Sequence, residues 1–339
     1  MMIWLLCAFV LVSSLLLTGV LHRYALARSL MDVPNGRNSH SIATPRGGGL
    51  AIALGFFIAL PILAWAGMMS WSAFWALFAA GAGVAAVGFL DDHEHIAVRW
   101  RLLAHFSASF WMLFCLGGAP AISLFAGEVD LGWLGHILAV FYLVWMLNLY
   151  NFMDGIDGIA SVEAIFVCLG ACLVYGVAGY EGLIWVPLCL AMAVAGFLYW
   201  SFPPARIFMG DAGSGFLGIV LGGLSLHAAW SAPQLLWVWL ILLGVFIVDA
   251  TFTLVRRLLR GDRVYEAHRS HAYQFASRRA GRHLPVTLAV LGINVVWLLP
   301  ISVCVGLSVL DGLTGTILAY APLVFIAVRF HAGELEEVG

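Results

Sequence analysis

Lysine is missing from this sequence: all sixteen basic residues among its 339 are arginines. Charge of either sign is scarce. Only 10% of residues are charged, 63% are hydrophobic and the mean hydropathy is +1.00, where a soluble globular domain carries about 25% charged residues. That shortage excludes a water-soluble fold and leaves an integral membrane protein. Cysteine is sparse too. Cys7, Cys115, Cys168, Cys172, Cys189 and Cys304 all fall in apolar stretches, so neither a disulfide framework nor a metal-ligand spacing is visible, and they read as packing residues.

Long apolar runs are what the chain has instead. A membrane helix needs roughly 20 apolar residues. About eleven stretches qualify, near 2–21, 48–68, 72–90, 102–117, 133–150, 159–178, 183–200, 215–230, 234–254, 286–306 and 312–329. The sequence predicts one all-α polytopic membrane domain over 1–339. Ala25-Leu26-Ala27 offers a small-residue cleavage site, but no basic segment precedes the first run and it is too long for a signal peptide. It is expected to be a retained helix.

The arginines set the expected orientation. Arg23, Arg28, Arg37 and Arg46 follow the first stretch, Arg99 and Arg101 the third, Arg206 the seventh and Arg256 to Arg282 the ninth, while Arg329 ends the last. The alternate loops carry only Glu128, Asp130, Glu181 and Asp311. This predicts an outer N-terminus, a cytoplasmic C-terminus and five inner loops near 22–47, 91–101, 148–158, 200–215 and 255–285. A basic inner face suits anionic headgroups and anionic substrates equally. Membrane lipids are expected partners and nucleic acid is not.

Those loops hold the informative polar residues. The first ends in Thr44-Pro45-Arg46-Gly47-Gly48-Gly49. It reads as a turn-rich linker or, with glycines before a helix start, as a place where backbone amides meet a phosphate. Asp91 and Asp92 are adjacent carboxylates that repel unless a cation or donors hold them. On a helix they diverge by about 100° and address different partners; a solvated helix cap is the alternative. Asn148, Asn151, Asp154 and Asp157 recur every three residues, a polar stripe at the end of an apolar span. In Phe208-Met209-Gly210-Asp211-Ala212-Gly213-Ser214-Gly215, one carboxylate among glycines can offer an oxygen to Mg2+ while amides face phosphate oxygens. The last loop, with His268, Arg269 and His271, also reads as an anionic-lipid patch. Glu163 and Asp249 lie within spans and either line a polar cleft or pair with a nearby arginine. The set as a whole points to Mg2+ and phosphate chemistry at a membrane surface.

In this order, the motifs resemble those of the polyprenyl-phosphate N-acetylhexosamine-1-phosphate transferases over nearly the whole chain. The last inner loop, Glu266-Ala267-His268-Arg269-Ser270-His271-Ala272-Tyr273-Gln274, lacks the consecutive histidines of the muropeptide branch. It is more similar to the bacterial enzymes that initiate O-antigen or related surface glycans. The resemblance implies transfer of a sugar 1-phosphate from a UDP-linked N-acetylhexosamine, either N-acetylglucosamine or a 6-deoxy amino sugar, to undecaprenyl phosphate, releasing UMP on the cytoplasmic face of a bacterial inner membrane. It implies Mg2+, or Mn2+ in its place, on Asp211 with Asp92. Asp91 is implied as base or nucleophile-orienting group, with Asp92, Asn151, Asp154 and Asp157 around the lipid phosphate and metal. Arg46, Asn148, Phe208, His268, Arg269 and His271 are implied on the substrates, Phe208 stacking on uracil, and a homodimer is a family expectation. A secondary transporter would place its acids near the bilayer midplane, and a lipid-binding scaffold would not need paired carboxylates. Here the acids crowd one face.

Overall fold

The structure, a computed structural model, describes residues 2–33, 40, 42–94, 96–125, 127–262 and 269–334. Every one of the eleven apolar stretches is helical. In chain order the helices are α1 (Met2–Ala27), α2 (Leu50–Trp65), α3 (Trp71–His93), α4 (Val98–Leu116), α5 (Gly132–Phe152), α6 (Ile159–Ala178), α7 (Trp185–Ser201) and α8 (Gly210–Ser231). They continue as α9 (Gln234–Leu242), α10 (Gly244–Arg260), α11 (Ala272–Ala280), α12 (Leu284–Ile293), α13 (Leu299–Gly306) and α14 (Gly312–Arg329). A π-helical turn, Asn294–Leu298, joins α12 to α13 in one span. The strands are two short hairpins, Met31–Asp32 with Thr44–Pro45 and Ile122–Leu124 with Gly127–Val129.

Among the described residues, eight helices are long and apolar enough to cross a membrane, and a ninth span forms if α9 and α10 count together. The other two expected spans are α2, at 16 residues, and α4, which begins four residues before the apolar run and carries Arg99 and Arg101 near its start. The stretch at 234–254, expected as one span, is broken by a 75° bend. The helix is interrupted at Leu243, and the next residue, Gly244, lies so close to α14 that a Cβ there would stand 3.1 Å from the Tyr320 ring.

The most enclosed helix is α8, with 94% of its apolar window buried. Its glycines let its neighbours approach at backbone distance: a Cβ on Gly218 would lie 2.6 Å from the Leu147 Cα of α5. The first helix, α1, lies along α7, where Trp200 Nε1 donates to Leu15 O at 3.0 Å.

The two intramembrane acids have found partners other than arginine. Asn294 Nδ2 donates to Glu163 Oε2 at 2.5 Å, where the π-turn begins. Asp249 accepts the first amides of α11, from Ala272 at 2.9 Å and Tyr273 at 3.0 Å, with His271 Nδ1 at 3.3 Å. All six cysteines are free.

Candidate active site

The site is built where α3 meets the start of α8. A Cβ on Gly88 would lie 2.5 Å from Asp211 C and Ala212 N, so only glycine lets the last turns of α3 rest against the first turn of α8. Three and four residues further on come Asp91 and Asp92, both buried. Asp92 covers the α8 N-terminus: Oδ1 accepts from Asp211 N at 3.2 Å and Oδ2 from Ala212 N at 3.4 Å. An anion there meets unpaired amides and the positive end of the helix dipole. Arg46 closes over it, with Nη2 donating to Asp92 O at 2.6 Å and Nε 3.9 Å from Oδ1.

Asp91 turns away, as adjacent positions on a helix must. Its Oδ1 accepts from Ile96 N at 2.8 Å and its Oδ2 from Arg101 Nη1 at 2.6 Å. The same guanidinium nitrogen stands 3.5 Å from Asp211 Oδ2, while Asn151 Nδ2 donates to Asp211 Oδ1 at 3.1 Å. Arg101 thus bridges α3 and α8 through two carboxylates.

The stripe expected from Asn148 to Asp157 is not one helix face. The α5 helix stops at Phe152, and Asp154 and Asp157 sit in the turn to α6, which ends on Gly158 at φ 71°. Asp157 Oδ2 accepts from Ala205 N at 3.0 Å, and His283 Nδ1 lies 3.0 Å from Oδ1. The Asp154 N–H donates to Asn151 O at 3.3 Å, while its carboxylate makes no hydrogen bond or ion pair among the described residues. Burial, with the neighbouring Asp211, Asp92 and Asp157 carboxylates, holds its carboxyl well above the ordinary range. A cavity of about 190 Å³ opens between these groups, bordered by Arg46, Asp92, Asn151, Asp154, Asp157 and Asp211. Phe208 also borders it, its ring 4.7 Å from that of His40.

Other expected site residues lie apart. Asn148 Nδ2 donates back to Val144 O at 2.7 Å on its own helix and does not line the cavity. His271 is buried against Asp249 as the residue that starts α11, not in the cavity wall. Arg269 is also outside the wall; its carbonyl accepts from Arg278 Nη1 at 3.0 Å. His268 lies outside the described residues. Arg101, Gln274 and His283 escaped the motif reading. Arg101 carried a signal, a cation one helical turn into an apolar helix, and so did His283, at the end of the arginine-rich loop. Gln274 carried none. Among the described residues, no three His, Cys, Asp or Glu side chains group closely enough to hold a metal ion by themselves.

A polytopic helical bundle with an acid-rich, arginine-flanked pocket at one end is the frame of a membrane-embedded transferase of phosphate-bearing groups. The family profile "Glycosyl transferase family 4" matches residues 74–229, from α3 through α8. The chain is 30% identical over 280 residues to the "Probable undecaprenyl-phosphate N-acetylglucosaminyl 1-phosphate transferase" of Bacillus subtilis, covering 80% of this chain and 77% of that one. It is 26% identical to the "Undecaprenyl-phosphate alpha-N-acetylglucosaminyl 1-phosphate transferase" of Thermotoga maritima, covering 79% and 80%. A "Phospho-N-acetylmuramoyl-pentapeptide-transferase" of Streptococcus pneumoniae is 30% identical, but over only 53% of this chain and 57% of that one. The chain belongs to glycosyl transferase family 4, the polyprenyl-phosphate N-acetylhexosamine-1-phosphate transferases.

Proposed function

We propose that the protein transfers an N-acetylhexosamine 1-phosphate from a UDP-sugar to undecaprenyl phosphate at the cytoplasmic face of a bacterial inner membrane, releasing UMP. The lipid diphosphate-sugar would begin a surface glycan such as O-antigen. The observation that carries this reading is the placement of Asp211. It is held by Asn151 and Arg101 at the first turn of α8, beside an Asp154 that has no donor of its own. Relatives matched along four-fifths of the chain are named as undecaprenyl-phosphate N-acetylglucosaminyl 1-phosphate transferases. Those names favour UDP-N-acetylglucosamine over a 6-deoxy amino sugar as donor.

In the reaction, an oxygen of the lipid phosphate forms a bond to the sugar-bearing phosphorus of the donor, and the bond from that phosphorus to the bridging oxygen breaks, so that UMP leaves. Catalysis of this kind is alignment plus neutralisation of crowded negative charge. The donor set fits Mg2+: this ion takes one or two carboxylates and completes its shell with phosphate oxygens and water, so a wall without three convergent ligands suits it. Asp211 and Asp154 are the residues that would hold it, both bordering the cavity; Asp92 borders it too and already accepts the first two amides of α8. Bound there, the ion would supply positive charge to the diphosphate. Arg46 borders the same space and orients phosphate oxygens, Arg101 acts at its edge through Asp211, and Phe208 offers a ring to the uracil. No general base is needed, because a phosphate monoester has its second pKa near 6 and is mostly dianionic at neutral pH. Asp91, with both oxygens engaged, positions Arg101.

The test is UMP release by purified protein with undecaprenyl phosphate, Mg2+ and a panel of UDP-sugars, beside an Asp211→Ala control. Release that needs lipid and metal, and is lost in the control, is expected. A folded protein that releases no UMP with any donor would refute the reading.

A further inference from the structure

A second cavity of about 510 Å³ runs between α10, α11, α12 and α14. Its walls are mostly apolar, including Val248, Val290 and Leu323, and at the arginine-rich end of the bundle it is bordered by Arg279, from the last turn of α11, and Arg329, which ends α14. Both arginines are exposed, and neither guanidinium makes a hydrogen bond or ion pair among the described residues. Among the described residues the one acid in the wall, Asp249, is spent on the two α11 amides and His271. We infer that this groove seats an acyl chain of an anionic glycerophospholipid, with its phosphate held by Arg279 and Arg329.

The chemistry follows from the arrangement. An apolar slot among membrane helices admits a hydrocarbon chain, and two unpaired guanidinium groups over its mouth are complementary to a phosphate at the headgroup level. The occupant is a bulk phospholipid and not the acceptor lipid, because no residue lines both cavities and Tyr273, which lines this one, abuts Gly155 of the other. The groove is nevertheless coupled to the pocket. Tyr273 lines it and donates through Oη to Phe152 O at 2.9 Å, at the end of α5 beside Asp154. A chain packed under α11 braces that contact.

The experiment reads binding and so stands or falls apart from the transferase assay. Full-length protein in phosphatidylcholine vesicles receives either phosphatidylglycerol or phosphatidylcholine carrying a photoreactive diazirine on one acyl chain, and labelled peptides are mapped by mass spectrometry. Labelling at 286–293 and 323–330 should favour the phosphatidylglycerol probe, by roughly fivefold for each arginine engaged. The preference should vanish in the Arg279→Gln, Arg329→Gln double variant and should survive excess undecaprenyl phosphate. Ala289→Trp, which leaves both arginines in place and fills the groove, should abolish labelling by either probe. Equal labelling of the wild type by the two probes, undiminished labelling of Ala289→Trp, or displacement by undecaprenyl phosphate would each overturn the inference.

Discussion

Glu163, in the second turn of α6, and the Asp91, Asp92, Asp154 and Asp211 group where α3 ends and α8 begins all set carboxylates among apolar helices, yet their surroundings differ. Glu163 is fully enclosed and meets one neutral amide, from Asn294 on a neighbouring span. It does not line the carboxylate cavity. The four aspartates meet amides, Asn151, Arg46 and Arg101, and still leave Asp154 without a donor beside an open cavity. Burial of an acid in a membrane protein is therefore a weak pointer to chemistry by itself. An excess of negative charge, held rigidly and open to a ligand, is the stronger one.

The difference can be broken at several points. Asp211→Ala removes the carboxylate that α3, α5 and α8 jointly position, and UMP release should fall by on the order of 10³-fold with the protein still folded. Asp91→Asn keeps the shape but weakens the hold on Arg101. A loss of about 10²-fold is expected from misplacement alone, and the pH-rate profile should keep its shape; full recovery at high pH would instead make Asp91 a base.

Asp154→Asn tests the charge excess through stability. The Asp154 carboxyl is raised above its unfolded value of about 3.9. Its contribution is therefore fully present below pH 4 and is lost as pH rises towards the folded value. Without divalent cation at neutral pH the variant should melt a few degrees above wild type, the gap should close below pH 4, and Mg2+ should stabilise wild type more than the variant. A gap that persists in acid would contradict this. The smallest effect belongs to Glu163→Gln, which retains an oxygen for Asn294: UMP release within about twofold of wild type is expected for a substitution away from the reacting groups, and a large loss would show that the two regions are coupled.

Much of this was legible before the fold. Apolar runs located the helices because lipid forces backbone groups to pair within each segment. Glycine-flanked acids lie at the cavity because glycine permits the close backbone approach of α3 to α8. What was hidden depended on contacts across the fold. The bend at Leu243 leaves no trace in hydropathy. The every-third-residue stripe ran on past Phe152, where the helix had already ended. His271 carries a ligand-like side chain, yet it serves Asp249 at the start of α11. The link from Arg101 to Asp211 exists only because Gly88 lets α3 lie on α8.

The most direct test of the comparison is a Mn2+ titration of purified wild type, Asp211→Asn and Glu163→Gln, followed by electron paramagnetic resonance in the absence of substrates. The account predicts a site in wild type that survives in Glu163→Gln and is lost in Asp211→Asn. Equal binding by all three proteins would contradict the assignment of the pocket as the cation and phosphate site.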